Sequence, residues 1–316
     1  MILPFTLQQL RIIKAIATET SFTRAAEILF ISQPSLSKQL KTLESRLGVQ
    51  LINRHKNQIS LSEAGQLLLQ YSERILSLCE ESCRALNDLQ NGERGTLYIG
   101  TSQNIGTYLI PRVLTLFTKN YPQINLKIHV DSSAVIAKNV FDRCIDIGVI
   151  EGYLPDFLKK KLEIESFIED EFNLIVSESH PLAANNRKII TKAELYHLNF
   201  IVFSPDSTTR KFIDTSLVQN DIEIKQFNII MELNSIEAIK TAVSLGLGAA
   251  FVSSFTVEKE IELKTLQVIN IENIKISNTL SVVTNPNCYR SKAFEFFYNE
   301  LSVLKNKIKK LKSKSL

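Results

Sequence analysis

Two stretches near the amino end decide how this chain is read: Ser21-Phe22-Thr23-Arg24-Ala25-Ala26-Glu27 and, five residues on, Ser32-Gln33-Pro34-Ser35-Leu36-Ser37-Lys38-Gln39-Leu40. In the second, Ser32 is an N-cap residue whose hydroxyl can accept from a first-turn N–H. Pro34 is tolerated there because its missing N–H has no partner inside the helix. Leu36, Leu40, Leu43 and Leu47 follow at helical spacing and form one buried face, and Gly48 ends the helix. In the first stretch Thr23 is the expected N-cap of a short helix over 24–29, and the paired alanines Ala25 and Ala26 let another helix approach closely. A helix over 6–18, with Leu7, Leu10, Ile13 and Ala17 on its apolar stripe, precedes both. Two helices joined by a tight turn, the second opening on a capped Ser-Gln-Pro, read as a helix-turn-helix. The leucines point inward, so Gln33, Pro34, Ser37, Lys38 and Lys41 are left outside.

Working outward, the short apolar stretches 49–52 and 59–61 flank Asn53-Arg54-His55-Lys56-Asn57. That is a hairpin with a basic tip, the shape of a wing. Ser62 then caps a proline-free helix over 63–90, along which Leu68, Tyr71, Ile75, Leu78, Cys79, Ser82, Leu86 and Leu89 give a partly apolar stripe. The small amino-terminal part cannot cover so long a stripe, which implies a partner helix, such as one from a second copy of the chain. Residues 91–95 read as a hinge.

From Thr96 the pattern alternates strand and helix. Strands are expected over 97–100, 126–130, 145–150, 172–177, 200–203, 229–233 and 249–252. Helices are expected over 108–119, 134–142, near 191–195, 209–220, 235–245 and 290–304. This alternation implies parallel sheets. The lysine-rich end is expected to fray.

Charge is segregated. Residues 1–65 hold eight Lys/Arg against four Asp/Glu, and residues 66–304 hold 23 against 29. The last twelve residues add six lysines and no acid. A basic amino end suits a polyanion partner there, and an acidic middle avoids the same polyanion. The four cysteines, Cys79, Cys83, Cys144 and Cys288, have neither zinc nor disulfide spacing. Cys79 and Cys83 lie one helical turn apart, as a redox pair or as two small helix-face residues. No apolar run reaches the roughly 18 residues of a membrane span. Helical periodicity starts near Phe5, leaving no room for a cleavable leader, so the chain is expected to act where it is made. Lysine outnumbers arginine 25 to 12, and residues with AT-rich codons are favoured, which fits a plastid genome or an AT-rich bacterium.

Over essentially its whole length the sequence resembles the LysR-type transcriptional regulators. The resemblance is carried by the two opening stretches, Leu43-Glu44, Leu47-Gly48, Arg54 and Leu61-Ser62-Glu63-Ala64-Gly65. Further on it is carried more loosely by Ile145-Asp146-Ile147-Gly148, His180-Pro181-Leu182-Ala183 and Gly246-Leu247-Gly248. It implies an α/β protein with an all-α amino-terminal part: a winged helix-turn-helix, a linker helix that dimerises, and a two-lobed sensor like periplasmic solute-binding proteins. The corresponding boundaries are 5–63 for the DNA-binding domain, 62–91 for the linker helix and 95–304 for the effector-binding domain. In the last, lobe I covers about 95–165 and 268–304, lobe II about 166–267, and 305–316 form a basic tail. A tetramer built as a dimer of dimers is also implied. The opening Leu3-Pro4-Phe5-Thr6-Leu7-Gln8-Gln9-Leu10 and Arg46-Leu47-Gly48-Val49-Gln50-Leu51 resemble the RuBisCO regulators of red-algal plastids and cyanobacteria. That resemblance implies the plastid stroma, or a bacterial cytoplasm, as the site of action, and RNA polymerase as a further partner. An operon of nitrogen, inorganic-carbon or amino-acid metabolism is the alternative target. The chain departs from the family pattern at Lys38 (usually arginine), Ile52 (usually phenylalanine) and Ser35 (commonly alanine). Lys38 puts bidentate guanine reading in doubt at that position.

Placed in a major groove, Gln33 can pair with an adenine edge and Pro34 can touch a thymine methyl. Ser35 falls within the same matched stretch, and Ser37, Lys38 and Lys41 can reach bases or phosphates. Thr23, Arg24, Arg54 and Lys56 are read as phosphate contacts. In the sensor, Thr101-Ser102-Gln103-Asn104 and Ser207-Thr208-Thr209-Arg210 each follow a strand and open a helix. Thr101, Ser102, Asn104, Thr208 and Arg210 are therefore the candidate effector contacts, with Arg210 pairing a carboxylate or phosphate. Helix caps and nothing more is the alternative for these loops. The resemblance favours an anionic effector such as a sugar phosphate, phosphoglycolate or NADPH, and no tightly bound cofactor. Glu63 and Asp146 are isolated acids, and His129, His180 and His197 lack nucleophile or metal spacing, so no enzyme is read. A solute-binding protein would lack the helix-turn-helix.

Overall fold

The computed structural model describes residues 3–55, 58–91, 94–152, 154–184 and 187–312. The amino-terminal part is α1 (Leu7–Glu19), α2 (Phe22–Ile28), α3 (Gln33–Leu47), the antiparallel hairpin of β1 (Ile52–His55) and β2 (Gln58–Leu61), and then α4 (Glu63–Asn91). Ile12, Ile13, Ile16, Ala25, Ala26 and the three leucines Leu36, Leu40 and Leu43 form its core. Thr6 and Gln9 close a capping box at α1, Ser32 caps α3, and Gly48 ends it in the left-handed region at φ 70°. The cap of α2 is Ser21, not Thr23. Ser21 is extended (φ −146°, ψ 125°) and its Oγ accepts from the Arg24 N–H, which leaves Thr23 inside the first turn. Glu44 accepts from the Leu51 N–H at 2.9 Å and so ties the start of the hairpin to the end of α3. Gly65 is required where α4 passes the segment leading into β1, because a Cβ would lie 2.1 Å from the Leu51 carbonyl oxygen.

The remainder starts with β3 (Gly95–Thr101), a π-helical turn at Ile105–Leu109, α5 (Ile110–Asn120), β4 (Ile124–Val130), α6 (Ser133–Phe141), β5 (Ile147–Glu151) and α7 (Asp156–Lys159). Then come β6 (Glu163–Ser177), α8 (Pro181–Ala184), β7 (Ile189–Ile190), α9 (Lys192–Leu195), β8 (Asn199–Phe203), α10 (Thr208–Gln219), β9 (Asn228–Leu233) and α11 (Ile236–Ser244). The chain continues through β10 (Ala250–Ser253), α12 (Glu258–Glu262), β11 (Leu266–Ile271), β12 (Ile276–Thr284) and α13 (Lys292–Lys312). Two cores result. One gathers Leu97, Ile99, Phe117, Ile147, Val149, Leu280 and Phe297; the other gathers Leu174, Ile175, Phe200, Ile239, Val243, Ala250 and Leu266.

The sheets are mixed, which corrects the expectation of parallel pairing. β3 is parallel to β4 and β5, β8 to β9, and β11 to β7. By contrast β12 runs antiparallel to β5 and β6, and β6 runs antiparallel to β10 and β11. The cause is β6, fifteen residues long, which buries Phe167 and Ile168 in the first core and Leu174 to Val176 in the second. β12 returns along it from Ile276 opposite Phe172 to Thr284 opposite Glu163. Two antiparallel strands thus cross between the lobes. The part of β6 ahead of Phe172 is hidden in the sequence by Glu163, Glu165, Glu169, Asp170 and Glu171, residue types depleted in strands.

The lysine-rich end differs from expectation as far as it is described, since α13 stays helical to Lys312, and residues 313–316 lie outside the described residues. Lys305 donates to Glu165 Oε1 at 2.9 Å and to the Ser166 carbonyl at 2.7 Å, which pins that end to β6. The inner face of α4 docks on its own chain. Glu81 accepts from Arg143 Nη1 and from the Tyr289 N–H, both at 2.6 Å, and Arg84 meets Asp146 at 3.4 Å. The outer face leaves Tyr71 54%, Leu78 47% and Leu86 63% exposed, which are residues of the expected apolar stripe. All four cysteines are free.

Candidate DNA-reading face and effector cleft

The helix-turn-helix presents a polar face around the start of α3. Gln33, Pro34, Lys38 and Lys41 are exposed, and Ser35 and Ser37 are half-buried. Gln33 Nε2 donates to Ser37 Oγ at 3.3 Å, one helical turn on, which holds the amide over the amino end of the helix. Thr23 and Arg24 are exposed at the start of α2. Arg54 lies on β1 opposite Ile59; its side chain, and all of Lys56, lie outside the described residues. Buried leucines on one side and exposed amide, hydroxyl and ammonium groups on the other are what a groove-reading helix needs.

The second candidate site is a cleft of about 540 Å³ between the lobes. Ser132, Ser133 and Glu151 line it from the first lobe, and Thr208, Thr209, Lys211 and Phe212 from the second. Phe172 and Asn278, on the crossing strands, also line it. Among the expected contacts, Thr208 is in place. Ser102 stands one layer back, 6% exposed, and its Oγ donates to Glu151 Oε1 at 3.3 Å. Thr101 is fully buried and donates to the Ser102 carbonyl, so it has no surface for a ligand. Asn104 leads into the π-helical turn and is not in the cleft wall.

Arg210 is turned away from the cleft. Its Nε donates to Asp214 at 2.7 Å and its Nη1 to the Phe203 carbonyl at 3.0 Å, with Glu232 at 3.7 Å. The cation that lines the cleft is Lys211. Helical geometry explains the difference. Arg210, Ile213 and Leu217 share the inner face of α10, while Thr208, Lys211, Phe212 and Thr215 share the face toward the cleft. Sequence reading missed Lys211 although this periodicity carries the signal. It also missed Ser132 and Ser133, which follow β4 and open α6 in the same strand-to-helix pattern as Ser207 and Thr208. Glu151 gave no signal at all. Burial pushes its carboxyl above the usual range, with the Ser102 hydroxyl pulling the other way.

A polar bridge joins elements of the two cores. Lys240 on α11 is 4% exposed and donates to Glu260 at 2.8 Å and to the Thr256 carbonyl at 2.9 Å. It also meets Glu237 at 3.0 Å and lies 5.0 Å over the Tyr108 ring, whose hydroxyl donates to Glu237. Burial opposes the ammonium, but these hydrogen bonds outweigh it and raise its pKa. Burial and the Glu237 carboxylate push the Tyr108 phenol to about 12. Among the described residues no group of acids, histidines or cysteines could hold a metal, and no helix is long and apolar enough to cross a membrane.

Residues 7–66 match the model of the bacterial regulatory helix-turn-helix proteins of the lysR family, and residues 90–303 match that of the LysR substrate binding domain. The chain belongs to the LysR family. It is a LysR-type transcriptional regulator, and such regulators are not enzymes. A relative from Thalassiosira pseudonana, a "Probable RuBisCO transcriptional regulator", is 67% identical over 97% of this chain and 100% of its own length. Full-length CbnR complexed with its target DNA shares the fold at TM-score 0.68 and 19% identity, covering 94% of this regulator and 99% of CbnR. The Synechocystis PCC6803 CcmR regulatory domain in complex with 2-PG aligns at TM-score 0.57 and 23% identity, over 67% of this regulator and 98% of that domain. The LysR-type architecture, a helical DNA-binding part followed by a two-lobed α/β sensor, is thus reached from the sequence, from the fold and from these comparisons alike.

Proposed function

We propose that this LysR-type regulator controls RuBisCO gene expression in response to a small anionic metabolite held between the sensor lobes. The observation that carries the target is the 67% identity, over nearly the whole chain, to a relative named for that role. The anionic effector is supported by the cleft itself: Ser132, Ser133, Thr208 and Thr209 line it together with the single lysine among the described cleft-lining residues, and α10 opens toward it. A sugar phosphate, phosphoglycolate or NADPH suits that lining. DNA is read by Gln33, Pro34, Ser37 and Lys38, with Thr23, Arg24, Lys41, Arg54 and Lys56 on phosphates. Residues 5–63 form the DNA-binding unit, 62–91 the linker and 95–304 the sensor. The exposed stripe of α4 joins two chains into a dimer, and dimers pair into a tetramer that works beside RNA polymerase in the plastid stroma. Closing the lobes changes the angle between subunits, and with it the bend imposed on the operator.

Footprinting of the full chain on fragments upstream of the RuBisCO genes tests this, with and without 2-phosphoglycolate, ribulose bisphosphate or NADPH. The expected result is a protected site whose extent changes with one of these anions. Protection no stronger than on random DNA refutes the target. An unchanged footprint with every anion refutes the effector class.

A further inference from the structure

Glu151 sits in the wall of the cleft, where a carboxylate would oppose an anion. It ends β5, and its carbonyl accepts from Ser133 Oγ at 2.7 Å. Among the described residues its side chain accepts one hydrogen bond, from the neutral Ser102 hydroxyl, and has no ion-pair partner. Among the described residues few groups line the cleft with it. Lys211 lies across the cleft on α10, and the crossing strands contribute uncharged Phe172 and Asn278. Next to the cleft, Asp131 follows β4, is exposed, and takes the Ser132 N–H at 2.6 Å. On α6, Lys138 is exposed and acts on Asp142 instead.

We propose that Glu151 is a specificity-determining residue of the cleft and meets the effector as a neutral carboxylic acid, donating a hydrogen bond to one of its oxyanions. The inference rests on reading the cleft as the effector site. A carboxylate with a single neutral donor is poorly compensated out of water, and a second negative charge in the same cleft disfavours it further. One proton taken from solvent removes that repulsion and turns an acceptor-only group into a donor. Lys211 then remains as the countercharge. The cleft selects phosphate or carboxylate oxygens over ammonium groups, which would need Glu151 ionised, and anion binding takes up a proton.

Two measurements on the full chain and on Glu151→Gln test this. The first is calorimetry with 2-phosphoglycolate at pH 6, 7 and 8, in buffers of different protonation enthalpy. The glutamine is neutral at every pH and the ligand's own titration cancels in the ratio of the two proteins. Wild-type affinity relative to the variant is expected to fall as pH rises, by up to about tenfold per unit, with extra proton uptake in the wild type only. A ratio that is flat with pH, or equal uptake, overturns the proposal. The second is thermal unfolding without ligand. A carboxyl that holds its proton longer when folded loses stability as pH rises above its unfolded value. The melting temperature of the variant is therefore expected to gain on wild type between pH 5 and pH 8, and a constant gap overturns the neutral state of Glu151. Failure of 2-phosphoglycolate to bind either protein refutes that effector chemistry, while the unfolding series still decides Glu151.

Discussion

Neighbouring cations on α10 have opposite surroundings, and replacing each by alanine separates structure from recognition. Arg210 is inside the second lobe, its side chain 13% exposed, with a carbonyl at 3.0 Å and Asp214 at 2.7 Å. A hydrogen bond from a charged donor contributes about 1.5–3 kcal/mol, and an exposed i,i+4 pair about 0.3–0.5 kcal/mol. Asp214 is one-third exposed and can turn to water, so Arg210→Ala is expected to cost about 2–3 kcal/mol of sensor stability. At about 2–4 °C per kcal/mol for a unit of this size, the melting temperature falls by about 4–12 °C. Affinity of the folded protein for an anion is unchanged. Lys211 is exposed in the cleft wall. Lys211→Ala is expected to leave stability within about 0.5 kcal/mol and to weaken an anionic effector by about 1.5–3 kcal/mol, roughly 10–150-fold. Calorimetric titration with 2-phosphoglycolate, ribulose bisphosphate and NADPH reads affinity, and a thermal melt of each variant reads stability. Tenfold weaker binding in Arg210→Ala with wild-type binding in Lys211→Ala would refute the assignment of the two faces.

Three further outcomes follow from the same geometry. Gln33→Ala is expected to cost about 1–3 kcal/mol on the cognate operator and to relax preference at one base pair, whereas Arg54→Ala weakens all DNA and lowers the salt slope by about one; equal loss of affinity on every sequence in Gln33→Ala removes the assigned base contact. Leu78→Glu puts a charge on the outer stripe of α4, where the single chain loses little; sedimentation should show dissociation toward monomer, and an unchanged oligomer takes this stripe out of the interface. Lys240→Met leaves the half-buried Glu260 without its cation and should cost up to about 3–5 kcal/mol, read by denaturant unfolding of the sensor, with a loss under 1 kcal/mol showing that the bridge between the cores is dispensable.

Much of the DNA-binding part was legible because its signals are local. Ser32, Pro34 and Gly48 act on backbone groups within four residues, and the leucine spacing of α3 is a property of one helix. Even the misplaced cap of α2 is an error of two residues, since Ser21 and Thr23 offer the same chemistry and only the chain's entry angle chooses between them. The sensor was legible as alternating elements, but its pairing was not. β6 carries acids ahead of Phe172, and its partners on β11 and β12 lie about ninety to a hundred and twenty residues on.

The sequence by itself determined the LysR-type order of parts through its family resemblance, and the Ser32 cap, the Gly48 stop, the inward leucines and the outward Gln33, Pro34 and Lys38 through spacings of three to four residues. Only the tertiary structure decided what each sensor residue faces. Arg210 and Lys211 are chemically alike and adjacent, yet a helix turns by about 100° between them, and the packing of Ile213 and Leu217 against the second core sends one inward and the other to the cleft. Glu151 is one of 33 acids in the sequence. It becomes distinctive when β5, Ser102 and the opposing lobe enclose it, because what removes a carboxyl from water is the surface of distant segments and not its neighbours along the chain.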